Sequence, residues 1–263
     1  MEIIENLPVF TKRFAQWRAD EKLAGYPFVE NTNTPFTPVR RALPMMNLAL
    51  ISSAGAYIDG TDAFDTESRD GDVSFREVPV EIEAGDLRYS ARGYDATAIL
   101  QDRNTQIPID RLREYEENAV IGRLNSAWWS ISSYIPDAQL VAEELAPKLA
   151  ERLARYEINA ALLIPATRLC HQTLGTIARS IEQSGIPTIM ISVDKLIMEK
   201  VRPPRTAYYE GEMGAVVGPP DWPEFQRRVL DETLRNMETF DQPGARKLAV
   251  QMESKVEAAR GER

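Results

Sequence analysis

The sequence predicts an α/β protein: a mainly parallel sheet with helices on both faces, built from βαβ units. Three observations carry this. Short, wholly apolar runs of strand length recur along the chain, as strands buried on both faces require. Between them lie longer stretches with apolar residues at three- and four-residue steps, the helical period. And residues 160–193 read as a complete strand–helix–strand unit, which implies a parallel pair joined by a crossover helix.

The elements follow in order. Residues 1–44 form an N-terminal arm, rich in aromatics and turn-marking prolines such as Pro27, Pro38 and Pro44, read as helix plus irregular packing against the body. Met46 to Ile51 is a first buried strand, followed by the small residues Ser52, Ser53, Ala54 and Gly55, which let a backbone or ligand approach closely. The acidic, turn-rich stretch from Asp59 to Asp72 reads as a surface loop. Val73–Val78 and Leu87–Ala91 are short extended segments. A helix spans Asp110 to Asn118, capped near Pro108 and ending by Gly122. Trp128 to Ile135 is strand-like, being β-branched and aromatic.

Asp137 then caps a long amphipathic helix to about Tyr156, with Leu140, Val141, Leu145, Leu149 and Leu153 on one face. A strand over 160–165 leads into a helix from about Cys170 to Gln183, which Gly185 ends and Pro187 keeps from resuming. Thr188 to Val193 is a further strand. Residues 195–220 read as loop, around Pro203, Pro204 and several glycines. A helix from Pro223 to about Phe240 follows, and the charged stretch 241–263 reads as a tail, helical or frayed. The body is 45–240, divisible into lobes near 45–135 and 136–240.

Composition excludes several functions. With Lys+Arg 31 against Asp+Glu 40 the formal charge is −9, which argues against a nucleic-acid groove or an anionic membrane surface. No apolar run approaches the roughly 18 residues of a membrane span. The start lacks the basic and apolar regions of a signal peptide. A single cysteine excludes an internal disulfide and fits a reducing compartment. The expectation is a cytoplasmic protein. One histidine and one cysteine do not make a metal site, and no Gly-x-Ser-x-Gly elbow, dinucleotide fingerprint or phosphate-cradling loop is present.

That lone cysteine and lone histidine are adjacent, Cys170-His171, where a strand turns into a helix. Unpaired N–H groups at a helix start favour negative charge, so a thiol there tends toward nucleophilicity. Cys170 is the candidate nucleophile and His171 a candidate base, although neighbours at a helix start do not face one another. A small buried cysteine is an equally simple reading. Thr167 is a candidate hydrogen-bond donor to substrate or a plain helix cap. Ser53, Gln172 and Thr173 would offer polar contacts at the same mouth, the latter two otherwise serving the first helical turn. Asp72, Ser74 and Arg76 would bind a carboxylate, with Arg76 able to pair in bidentate fashion, or else form a structural ion pair. Tyr94, Asp95 and Asp102 are candidate acid/base or binding groups, with loop capping as the plainer reading. Arg202 and Arg205 would clamp an anion or be solvated. Trp128 and Trp129 belong to the core or an interface.

An ordered set of short motifs carries a resemblance. It comprises Ile51–Gly55, Gly71–Pro79, Gly93–Asp95 with Asp102–Asn104, Pro108–Leu112, Ile121-Gly122 and Ser130–Pro136. Leu163–Pro165, Cys170–Gln172, Gly185–Pro187 and Arg202–Arg205 complete it. Over residues 45–235 the chain resembles the selenoprotein B family of glycine/sarcosine/betaine reductases and D-proline reductase, and among them the selenium-free bacterial relatives. The resemblance implies reductive cleavage of a carbon–heteroatom bond in a small amino acid or amine, by a selenol or thiol that a second thiol, with two residues between them, resolves. Here Cys170 stands at the second position and Thr167 at the first. A hydroxyl forms no chalcogen bond, so redox turnover would draw on an external thiol, a thioredoxin-like reductant or a partner's cysteine. At Gly93 many relatives are expected to carry a histidine. No cofactor is evident. The resemblance implies a partner subunit, and the acidic surface and aromatics are compatible with a homodimer. Two functions remain open: an enzyme using Cys170, in redox or non-redox thiol chemistry, and a non-catalytic binding subunit that keeps the fold but lacks the redox pair. A third keeps catalysis without the thiol, through Asp95, Asp102 or His171.

Overall fold

The computed structural model describes residues 2–18 and 22–250. After helix α1 (Leu7–Gln16) come strands β1 (Asn47–Ser52), β2 (Ala56–Ile58), β3 (Phe75–Pro79) and β4 (Leu87–Tyr89). Helices α2 (Thr97–Gln101) and α3 (Ile109–Glu117) precede β5 (Arg123–Leu124) and β6 (Ala127–Ile131). Helix α4 (Ala138–Leu140) runs through a wide turn at Val141–Leu145 into α5 (Ala146–Arg155). Strand β7 (Ala160–Ile164), helix α6 (Arg168–Gln183), β8 (Thr188–Ser192), α7 (Lys195–Val201), β9 (Arg205–Tyr208), α8 (Pro223–Thr239) and β10 (Gly244–Lys247) complete the order.

The main sheet runs β10-β9-β8-β7-β1-β6-β3, with β5 also paired to β1. Every pairing in it is parallel except β3 with β6. Alternation along the strands splits the apolar residues between two faces. Leu48, Leu50, Trp128, Leu162, Ile164, Ile189 and Ile191 join the core under α3 and α8. Ala49, Ile51, Trp129, Ile131, Leu163 and Met190 join the core under α5, α6, α7 and the N-terminal arm. No helix among the described residues is long and apolar enough to cross a membrane.

The predicted helix from Asp137 to about Tyr156 is present with a local irregularity. Asp137 accepts from the N–H groups of Gln139 and Leu140. The wide turn Val141–Leu145 has π-type bonding and ends two residues before Pro147. A proline inside a helix has no N–H to donate and its ring crowds the carbonyl four residues back, so one enlarged turn accommodates it without ending the helix.

Two segments differ from the sequence reading. Residues 195–220, expected as loop, contain α7 and β9. Asp194 caps α7 by accepting from Ile197 N–H, and β9 is fully within the sheet despite its arginine. The stretch from 241, expected as helix or frayed tail, contributes the edge strand β10; residues 251–263 of that expectation lie outside the described residues.

Helix α6 is the fold's central strut, buried along nearly its whole length. Three polar side chains on it hold the arm. The Gln172 amide accepts from Val29 N–H at 2.8 Å and donates to the Tyr26 hydroxyl at 2.6 Å. Arg179 donates to the carbonyls of Glu2, Ile3, Asn33 and Arg202. Glu182 accepts from Thr37 N–H at 2.5 Å, from Thr188 N–H at 2.7 Å and from the Arg205 guanidinium at 2.5 Å. Neither Glu182 nor Arg205 has any exposed side-chain surface. Buried polar groups require such partners, so the arm is part of the core.

Candidate functional site

The sheet order fixes where a ligand belongs. After β1 the chain leads to β6 on one side; after β7 it leads to β8 on the other. Adjacent parallel strands whose continuations diverge leave a crevice beyond their carboxyl ends, the usual ligand site of open α/β sheets. Ser53 follows β1 there, Ser133 follows β6, and Thr167 and Cys170 follow β7.

The crevice is stitched by short-range bonds. Ser53 N–H donates to Ile164 O at 3.2 Å, and Ser53 Oγ accepts from Ala166 N–H at 3.2 Å. Ser133 Oγ donates to Ser90 O at 2.6 Å and accepts from Arg92 N–H at 2.9 Å. Gly55 stands with φ +68°, and a Cβ there would lie 2.7 Å from Ser90 O. This is why a glycine ends the small-residue run after β1.

Thr167 is the N-cap of α6. Its backbone is extended (φ −129°, ψ 170°) and its Oγ1 accepts from Cys170 N–H at 3.0 Å. The Cys170 thiol lies behind it, 1% exposed. Sγ is 3.2 Å from Ser133 O and 3.5 Å from Ser53 O. Carbonyls accept, so the sulfur carries its proton and donates. Burial pushes the thiol pKa up, the opposite of what the helix start alone would do.

His171 is wholly buried. Its Nδ1 lies 2.6 Å from Thr167 O, and its Nε2 accepts from Val193 N–H at 3.2 Å. A carbonyl only accepts and an amide N–H only donates, so the ring is the neutral Nδ1–H tautomer. Burial holds its pKa down to about 4. The histidine thus pins the start of α6 to the end of β8, with no ring nitrogen left for a substrate.

A pocket of about 710 Å³ opens over Thr167. Gly93, Tyr94, Ser133, Tyr134 and Thr167 line it, together with the cationic Lys22, Arg92 and Arg168 and the acidic Glu67. The Arg92 guanidinium sits 3.7 Å above the Tyr134 ring and donates to Thr66 O. Arg168 pairs with Asp194 at 3.1 Å. The Tyr94 hydroxyl donates to Ala54 O at 2.7 Å, and burial raises its pKa, so it stays protonated.

The structure therefore brings Ser53, Thr167, Cys170 and Tyr94 together and separates the rest. Gln172 turns to the arm, as described. Thr173 Oγ1 donates back to Leu169 O at 3.3 Å. Asp72, Ser74 and Arg76 satisfy one another: Ser74 donates its N–H (2.9 Å) and its hydroxyl to Asp72, and Arg76 reaches Ser74 Oγ at 2.5 Å and Asp72 at 3.6 Å while lying over the Phe64 ring. They do not line the pocket. Asp95 caps Thr97 from an exposed position. Asp102 accepts from Asn104, Asp221 and Gln226, holding three segments together. Arg202 bonds Thr32 O and Arg205 is committed to Glu182, so the pair forms no anion clamp. Arg92, Arg168, Ser133 and Tyr134 had not been singled out as site residues. The runs Arg92–Asp95 and Ser130–Pro136 contain three of them, but nothing local shows that these two runs meet. Among the described residues no cluster of three or more His, Cys, Asp or Glu side chains could hold a metal ion.

Known proteins are similar to this chain in sequence. The family model for glycine/sarcosine/betaine reductase selenoprotein B matches residues 23–166. A D-proline reductase subunit gamma of Acetoanaerobium sticklandii is 30% identical over 202 residues, covering 77% of this chain and 82% of that protein. A glycine reductase complex component B subunit gamma of Symbiobacterium thermophilum is 26% identical over 171 residues, 63% of this chain but 39% of that protein. A betaine reductase complex component B subunit beta of Peptoclostridium acidaminophilum is 23% identical over 202 residues, 68% of this chain and 46% of that protein. The match thus spans most of the first relative and less than half of the other two. No solved structure gives a significant match.

Proposed function

Because the chain belongs to the glycine/sarcosine/betaine reductase selenoprotein B family, we propose that it is a reductase-type subunit that binds a small amino acid or amine over Thr167 and lacks a redox couple of its own. The observation that carries this is the pair Thr167 and Cys170. A hydroxyl lines the pocket at the position where the family resemblance expects the attacking selenol or thiol. The thiol behind it is buried, protonated and hydrogen-bonded to two carbonyls. Cations and the α6 N-terminus around the pocket favour a carboxylate, and Glu67 and the Tyr94 hydroxyl add polar groups that suit an amino group. Electrons would come from an external thiol, a thioredoxin-like reductant or a partner subunit.

A second reading keeps Cys170 as nucleophile, together with Thr167 as substrate donor and Ser53 as support. Its support is position: the sulfur lies at the switch point itself, one side chain behind the pocket. It needs the thiol freed from Ser53 and Ser133.

Two measurements test the proposal. Thermal shift with D-proline, glycine, sarcosine and betaine should show stabilisation by at least one, retained in Cys170→Ser and weakened in Arg92→Ala. Stabilisation by none of them would sink the proposal. Alkylation of native Cys170 by iodoacetamide, read by mass, should be slow until unfolding. Rapid modification with an apparent pKa below about 8.5 would favour the second reading.

A further inference from the structure

A second cavity, of about 860 Å³, lies at the same carboxyl end of the sheet as the Thr167 pocket. It is framed by the segment from Tyr209 to Phe225, which follows β9. Its apolar lining is aromatic: Tyr209 and Phe225 have ring centroids 6.1 Å apart, and Trp222 and Phe225 5.1 Å apart. Around that lining stand Glu210, Glu212, Asp221 and Glu224, all exposed. Lys247 approaches Glu210 at 3.6 Å and Arg227 approaches Glu224 at 3.5 Å. Both are long, exposed pairs that a competing cation displaces at little cost. The partly exposed Trp222, backed by the buried Tyr209 and Phe225 and rimmed by carboxylates, has the form of an apolar interface core with a polar rim.

From this the geometry points to a docking site for a basic segment of a partner protein, with an aliphatic or aromatic side chain seated on Trp222 and Phe225 and Lys or Arg side chains meeting the carboxylates. Charge complementarity selects the occupant. A second copy of this chain, at −9 net charge, is repelled by the same rim that attracts a basic partner. The site's place in the fold gives it a purpose. Gly214, in the framing segment, donates its N–H to Ala166 O at 3.0 Å, and a Cβ on it would lie 2.8 Å from the Tyr94 ring. A partner docked here stands beside the wall that Tyr94 shares with the Thr167 pocket. The inference rests on reading the chain as a subunit that works with a partner.

Trp222 is the half-buried member of the four tryptophans, the other three being buried, so its emission reports on this surface. The test titrates the protein with a short peptide of alternating lysine and leucine, and in parallel with its glutamate–leucine counterpart. The lysine peptide should give a saturable change in Trp222 emission. Its affinity should fall at least about tenfold in the doubly substituted Glu212→Lys, Glu224→Lys protein. It should hold in Glu143→Lys with Glu151→Lys, which makes the same charge change across the sheet, in the wide turn Val141–Leu145 and on α5. A response to the glutamate peptide of equal strength, no saturation, or an equal loss in both variants would overturn the proposal. Small-molecule binding over Thr167 is read separately by thermal shift, so loss of that reading and loss of this one remain distinguishable.

Discussion

Replacing Thr167 by cysteine gives this chain the thiol pair that the family resemblance implies, and the outcome follows from the helix start. The substitution removes an N-cap oxygen that accepts from Cys170 N–H at 3.0 Å, at a cost of about 1 kcal/mol. For a chain of this size that lowers the melting temperature by about 2–4 °C. An N-cap thiolate gains about 1–2 kcal/mol from the unpaired N–H groups ahead of it in a partly buried setting. At about 1.4 kcal/mol per unit, this brings a thiol of ordinary pKa about 8.5 to about 7–8. Cys170, pushed up by burial, stays protonated in that range. N-cap and third helical position lie within the about 4.4–6.8 Å Cα spacing that a disulfide spans. The variant should therefore show one thiol alkylated rapidly near neutral pH by iodoacetamide, with Cys170 slow. Oxidised glutathione should then close an internal disulfide that protects both. A thiol at 167 titrating at or above about 8.5, or two thiols that stay reduced, would refute the argument that Thr167 alone withholds the redox couple.

Two further outcomes are expected. Folding holds the pKa of His171 at about 4, against about 6.5 for a solvated imidazole. The unfolded chain then binds the extra proton between those values, so stability rises with pH through that window and is lost as pH falls. The stability advantage of wild type over His171→Gln should shrink by about 3 kcal/mol from pH 7 to pH 4 in urea unfolding, and parallel curves would show the ring to be solvated. Arg205→Met strands the buried Glu182 carboxylate and should cost about 3–5 kcal/mol. Combined with Glu182→Gln, the total should fall short of the sum of the single costs by about 1–3 kcal/mol; strict additivity in the urea midpoints would show that the two groups do not interact.

How much of this was legible before folding depended on distance along the chain. The helix that Asp137 opens and the strand–helix–strand unit around Cys170 carry local signals: caps, a terminating Gly185 and a clear period. Strand β9 did not, because Arg205 opens a four-residue segment with little apolar pattern and its neutralising partner lies on α6, 23 residues back. Helix α7 has a cap at Asp194 but only seven residues before Pro203 and Pro204. At the site, Thr167 as a cap was readable from its spacing. Cys170 as a proton donor was not, since its acceptors, Ser53 O and Ser133 O, come from two other strand ends. Gln172 looked like a first-turn polar group because its partners, Tyr26 and Val29, are more than 140 residues away.

The three polar side chains by which α6 grips the arm also impose an order of assembly. The carbonyls that receive Arg179 belong to residues 2, 3 and 33 and to residue 202, so these bonds close only after the intervening strands are in place. Contacts this distant in sequence form late, because the loop entropy must be met before they return any stabilisation. Until then Arg179 and Glu182 remain hydrated. Docking of the first residues is thus the closing step of folding, and the amides of α6 would owe part of their slow hydrogen exchange to a segment that begins more than 160 residues before them.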